Sequence, residues 1–100
     1  MSTIHSMKIE EIQMDKYIVN KECSFSASDE YVIVFNKAKE NVFMLDKTGK
    51  EVWQLFQTES TVEAAAKALM KIYSAEYEVI YNDILNLLES LVQEGLCYKV

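Results

Sequence analysis

One hundred residues, half of them apolar, are enough for one domain with a real core. The chain carries sixteen Asp and Glu against ten Lys, has no Arg, and has a net charge of −6. Arg is the preferred residue for bidentate phosphate and guanine contacts, so its absence and the acidic balance argue against nucleic acid as the main partner. No stretch reaches the roughly 18 apolar residues of a membrane helix. The N-terminus, MSTIHSMKIEEIQMDK, lacks the apolar centre of a signal peptide, so the expected location is cytoplasmic, with no membrane partner.

Residues 1–16 are polar and mixed and read as a flexible N-terminal arm, with residues 17–100 as the folded domain. Tyr17–Ser26 is β-leaning. Ser28, Asp29 and Glu30 form a turn cluster. Tyr31–Asn36 is the clearest strand, rich in β-branched and aromatic residues. Lys37–Glu40 makes a polar turn, and Asn41–Leu45 returns as the partner strand of an antiparallel hairpin. With the segment before them, these strands are expected to form a three-stranded antiparallel meander.

The remainder is helical. Thr48-x-x-Glu51 matches a capping box, with Asp46 as the competing N-cap, and the first helix is expected to run to about Gln57. Its apolar side is Val52, Trp53, Leu55 and Phe56. Ser60-x-x-Glu63 is a second capping box, with Thr61 as the alternative cap, opening a helix over Val62–Tyr73. Ile80, Ile84, Leu87, Leu88 and Leu91 recur at helical spacing and predict a third helix over Val79–Glu94. Gly95 stands where a left-handed residue ends a helix. Leu96–Val100 leaves as a short extended tail.

Motifs for catalysis are missing. His5 is the single histidine and lies in the arm, so a Ser–His or Cys–His pair would have to recruit that arm. HExxH, GxGxxG, P-loop and EF-hand spacings do not occur. Cys23 and Cys97 fit no zinc spacing and read as two reduced, partly buried thiols. A bridge between them would need the N-terminal strand to lie beside the C-terminal end. The acidic residues fall between apolar ones and read as a solvated face. The expectation is a binding module rather than an enzyme, without metal or cofactor.

Three places carry a family resemblance. Met44-Leu45-Asp46-Lys47-Thr48-Gly49 followed by Val52-Trp53-Gln54-Leu55-Phe56 resembles the strand-to-helix passage of the PqqD family. Ser60-Thr61-Val62-Glu63 is similar to that family's start of helix two. Val79-x-x-x-Asp83-Ile84 with Leu87-Leu88, Leu91 and Glu94-Gly95-Leu96 resembles its final helix and ending. Together they cover about residues 31–100. Gly49 stands where many members have Ala or another small residue, and Gln57-Thr58-Glu59-Ser60 replaces the glycine many carry before helix two.

The resemblance implies an α+β fold: a three-stranded antiparallel β-sheet followed by three α-helices, the winged-helix-like PqqD fold. It also implies a role as a RiPP recognition element (RiPP: ribosomally made, post-translationally modified peptide). Such a domain binds the leader peptide of a precursor by β-strand addition and hands it to a maturation enzyme. A stand-alone chain is similar to those of lasso-peptide biosynthesis, which serve a leader peptidase; radical-SAM pathways such as PQQ biosynthesis use the domain as a chaperone. The implied peptide-binding strand is Asn41, Val42, Phe43, Met44, Leu45 and Asp46. Tyr81, Asp83, Leu85, Leu88 and Val92 on the third helix are candidates for the opposite wall. Alternation pairs Val42 with Met44 on one strand face and Phe43 with Leu45 on the other, leaving open which pair packs inward. A monomer is expected, with the edge strand offering a dimer contact. The competing class is a winged-helix DNA-binding protein, and the third helix, with acidic residues and no Lys, opposes it.

Overall fold

The computed structural model describes residues 16–100. The arm expected over residues 1–16 therefore lies, except for Lys16, outside the described residues. The elements run β1 (Lys16–Val19), β2 (Ser24–Ala27), β3 (Val32–Asn36), β4 (Asn41–Leu45), α1 (Lys47–Leu55), β5 (Ser60–Thr61), α2 (Val62–Met70), α3 (Tyr77–Gln93) and β6 (Cys97–Lys99).

The expected meander is present as β2-β3-β4, antiparallel throughout, with β4 at an edge. A second three-stranded sheet, in the order β5-β1-β6, was not anticipated. It arises because Tyr17–Ser26 is two strands. The chain turns at Asn20, where the Cys23 amide donates to the Asn20 carbonyl (3.1 Å). β1 then pairs with β6, Val19 opposite Cys97, and with β5, Lys16 opposite Thr61. The extended tail after Gly95 is thus a paired strand.

The starts of α1 and α2 each follow one of the two expected alternatives. Asp46 caps α1, its carboxylate accepting from the Gly49 amide (2.9 Å). The Thr48–Glu51 box does not form. Thr61, the last residue of β5, caps α2 by accepting from the Ala64 amide (3.1 Å). Helix α2 stops at Met70, a turn earlier than the periodicity predicts, and Tyr73 folds back so that its amide donates to the Leu69 carbonyl (2.9 Å). Helix α3 begins at Tyr77, two residues earlier than predicted. At its end Gly95 adopts φ +77°, the Gly95 amide donates to the Val92 carbonyl, and the Leu96 amide reaches the Leu91 carbonyl (2.8 Å).

The core lies between the two sheets and the helices. Val32 and Val34 point inward from β3, and Val52, Trp53 and Phe56 come from α1. Val62, Ala65, Ala66 and Leu69 of α2 meet Ile80, Ile84, Leu88 and Leu91 of α3. The small Ala65 and Ala66 allow α2 and α3 to approach closely. Tyr17 stands edge-on to Phe56, with ring centroids 6.3 Å apart, and so joins the second sheet to α1.

Gly49 sits in the first turn of α1, where an added Cβ would lie 2.9 Å from the Leu45 Cβ. Gly49→Ala gains about 1 kcal/mol of helix propensity but overpacks this contact by about 1–3 kcal/mol. A net loss of about 1 kcal/mol is expected, read as a lower urea midpoint at unchanged slope. A higher midpoint would show that Leu45 yields freely.

Cys23 and Cys97 are both buried and unbridged. Burial first, and the neighbouring Cys23 second, push the Cys97 thiol from 9.0 up to about 12. The folded state then holds that proton more tightly than the unfolded chain. The stabilisation is full below the ordinary thiol range and is lost as the pH rises through the folded value. Urea midpoints are expected to fall between about pH 9 and 11, and Cys97→Ala to flatten that fall. A flat wild-type profile would contradict the assignment.

Candidate functional site

Among the described residues strand β4 leaves one edge unpaired, and its register shows which groups lie there. The Ser28 amide donates to the Tyr31 carbonyl (2.9 Å), making these two a hydrogen-bonded pair. Bonded pairs alternate along an antiparallel ladder, so Ile33 and Phe35 direct their backbone groups to β2. Val32, Val34 and Asn36 then direct theirs to Leu45, Phe43 and Asn41, their partners in β4. The N–H and C=O groups of Val42 and Met44 remain, and they lie along the open edge.

The side chains divide the same way. Phe43 and Leu45 pack against the core, whereas Val42 and Met44 are 64% and 70% exposed. The choice left open by alternation is settled by β3: its Val34 and Val32 face the core and oppose Phe43 and Leu45. Asn41 and Asp46, at the two ends of β4, are exposed.

The turn before β4 and the helix after it both lie near α3. At the Asn41 end, the buried Asn36 donates through Nδ2 to the Glu94 carbonyl (3.1 Å), and Lys39 Nζ donates to the Gln93 carbonyl (3.3 Å). The Asn36 Oδ1 accepts from Ala38 and Lys39 amides, so this buried amide is satisfied. At the Leu45 end the chain enters α1, where Thr48 and Val52 face Val79, Asp83 and Leu87 across a cleft of about 210 Å³.

The cleft is mainly apolar, and its wall is braced. The Tyr73 hydroxyl donates to Glu51 Oε1 (2.5 Å), and Thr48 Oγ1 donates to the Tyr73 oxygen (3.5 Å). This network uses both residues of the capping box that did not form. Asp83 is the one charged residue among those that line the cleft.

Of the residues expected on the α3 wall, Asp83 stands in the cleft. Leu88 does not: it is completely buried, at 0% exposure, and belongs to the core. Tyr81 and Leu85 each lie two residues from Asp83, which turns them about 160° away on a helix. Tyr81 stacks beside Tyr77, with centroids 5.7 Å apart, and Leu85 packs against the core. Val92 lines a separate shallow depression with Tyr17 and Lys99. Val79 and Leu87 take their place on the cleft side. The core stripe of α3 has two apolar flanks, and only the position of α1 shows which one faces the cleft. Among the described residues, no group of three His, Cys, Asp or Glu is placed to hold a metal ion, and no helix is long and apolar enough to cross a membrane.

This fold and site define a small winged-helix-like α+β domain in which β4 is an outer strand, open among the described residues, and an apolar cleft lies between α1 and α3. The chain belongs to the PqqD family: the family model for coenzyme PQQ synthesis protein D matches residues 31–96. The fold is also that of TbiB1 in complex with the TbiA(beta) leader peptide. That likeness has a TM-score of 0.75 at 20% identity and covers 80% of this chain and 93% of that one. Lasso peptide synthetase B1 complexed with the leader peptide is similar, with a TM-score of 0.73 at 20% identity, covering 82% of this chain and 96% of that one. No curated protein matches.

Proposed function

We propose that this protein binds the leader segment of a ribosomally made precursor peptide by adding it as a strand to the open edge of β4. It then presents the precursor to a separate maturation enzyme and performs no chemistry itself. The observation that carries this reading is the pair of outward N–H and C=O sets on Val42 and Met44, a few residues before Thr48, which lines an apolar cleft. An extended peptide gains affinity from such an edge through its main chain and specificity through pockets for alternate side chains. The Val79–Asp83–Leu87 flank of α3 supplies the second wall, and the cleft supplies room for one large apolar side chain. Ordering a disordered leader opposes binding, so a few such anchors must supply the affinity.

Family membership and the fold shared with two leader-peptide complexes support the reading. The lasso-peptide context of those neighbours favours a leader peptidase as the partner enzyme. The family description, PQQ synthesis, supports a second pathway in which the same edge serves a radical-SAM enzyme. DNA binding is disfavoured because α3, the helix that would enter a groove, has no Lys or Arg.

The test is a fluorescence-anisotropy titration against a labelled peptide from the nearest small open reading frame. Saturable binding that persists in added salt is expected. Absence of binding by a folded protein would reduce the reading to a shared fold.

A further inference from the structure

The cleft between α1 and α3 is uneven in charge. Of its polar lining residues, Thr48 and Tyr73 are already joined to each other and, through Tyr73, to Glu51. Asp83 is exposed at the rim and has no hydrogen bond or ion pair among the described residues. α3 brings no cation near it: Tyr77–Gln93 carries Glu78, Asp83 and Glu89, and no Lys. The chain as a whole is at −6. A carboxylate set against an apolar wall, without a partner, discriminates by charge between peptides that fill the wall equally well.

We propose that Asp83 is a specificity-determining residue that selects leaders carrying a Lys or Arg next to the apolar side chain seated in the cleft. This rests on the leader-binding reading. Edge pairing accepts any sequence, since it uses the main chain, and the cleft reads only size and apolarity. Asp83 adds the one charge-dependent term, and the acidic field of α3 steers basic peptides toward it. A half-exposed ion pair is worth about fivefold in affinity at moderate salt, and added salt weakens it.

The experiment sorts a display library of random 12-residue peptides on the full chain, on Asp83→Asn and on Asp83→Lys. Asp83 is exposed, so both variants should fold, and circular dichroism checks this. The wild type is expected to enrich an apolar anchor with Lys or Arg within two positions of it. Asp83→Asn should keep the anchor and lose the basic preference, and Asp83→Lys should prefer Asp or Glu. Synthetic peptides with Lys or Gln at the enriched position should differ about fivefold for the wild type and bind Asp83→Asn equally. The same anchors with no charge preference in any of the three would overturn this inference and leave leader binding standing. No enrichment by the folded wild type would overturn both.

Discussion

Trp53→Ala is expected to destabilise the domain by about 3–5 kcal/mol, a large share of the 5–15 kcal/mol typical of a small domain. The residue is 1% exposed and lies at the centre of α1's buried face, between Val52 and Phe56. Its ring meets Phe25 of β2 edge-on, with centroids 5.7 Å apart, so truncation opens a cavity and uncovers a strand together. Its indole nitrogen is buried without a hydrogen-bond partner among the described residues. Trp53→Phe should therefore lose less than truncation does, since it removes that orphan donor while keeping an aromatic ring. Thermal and urea unfolding check both, and the Ala variant should melt at least about 12 °C below the wild type. An unchanged melting temperature would contradict the placement of α1.

Met44→Pro is expected to weaken leader binding by about 30-fold or more and to leave the fold largely intact. Met44 directs its N–H to the open edge, so Pro removes a donor that the β3–β4 ladder does not use. Its side chain is 70% exposed, so little packing is lost. In the complex, the leader carbonyl facing Met44 would lose its donor and meet the proline ring instead. A desolvated, unpaired carbonyl costs about 1–3 kcal/mol, and the ring adds to that. Phe43→Pro is the control: its N–H points to β3, so that variant should lose stability instead. A well-folded Met44→Pro variant that binds normally would remove β4 as the docking edge.

Most of this architecture was legible because strong local signals agreed. Tyr31–Asn36 and Asn41–Leu45 are compact β-branched and aromatic runs, and the stripe Ile80, Ile84, Leu88 and Leu91 can be read only as one helix face. Gly95 marks its own left-handed turn. The second sheet was not legible, because β5 and β6 are two and three residues long and carry no period. Its partners are distant in sequence, so pairing alone defines it. The break at Asn20–Cys23 was missed because no Gly or Pro marks it; the Asn20 side chain makes the turn, accepting from the Glu22 amide (2.9 Å) and donating to the Gly95 carbonyl (3.0 Å).

The site divides along the same line. Strand alternation grouped Val42 with Met44, but the core-facing pair emerged only from the register with β3. On α3, Asp83 was singled out for its charge, and it lines the cleft. Leu88, read both as part of the apolar stripe and as a wall candidate, is core, since an apolar residue at the margin of a helix face looks the same in sequence in either role. Val79 and Leu87 needed the location of Thr48 and Val52 before they could be recognised.

Strand addition is tested most directly by amide hydrogen exchange, followed residue by residue by NMR with and without the leader peptide. The Val42 and Met44 amides lie on the open edge and should exchange quickly in the free protein. Bound leader should slow both, while the Phe43 amide, already paired to β3, changes much less. Saturable binding that leaves Val42 and Met44 exchanging as fast as before would contradict strand addition at β4.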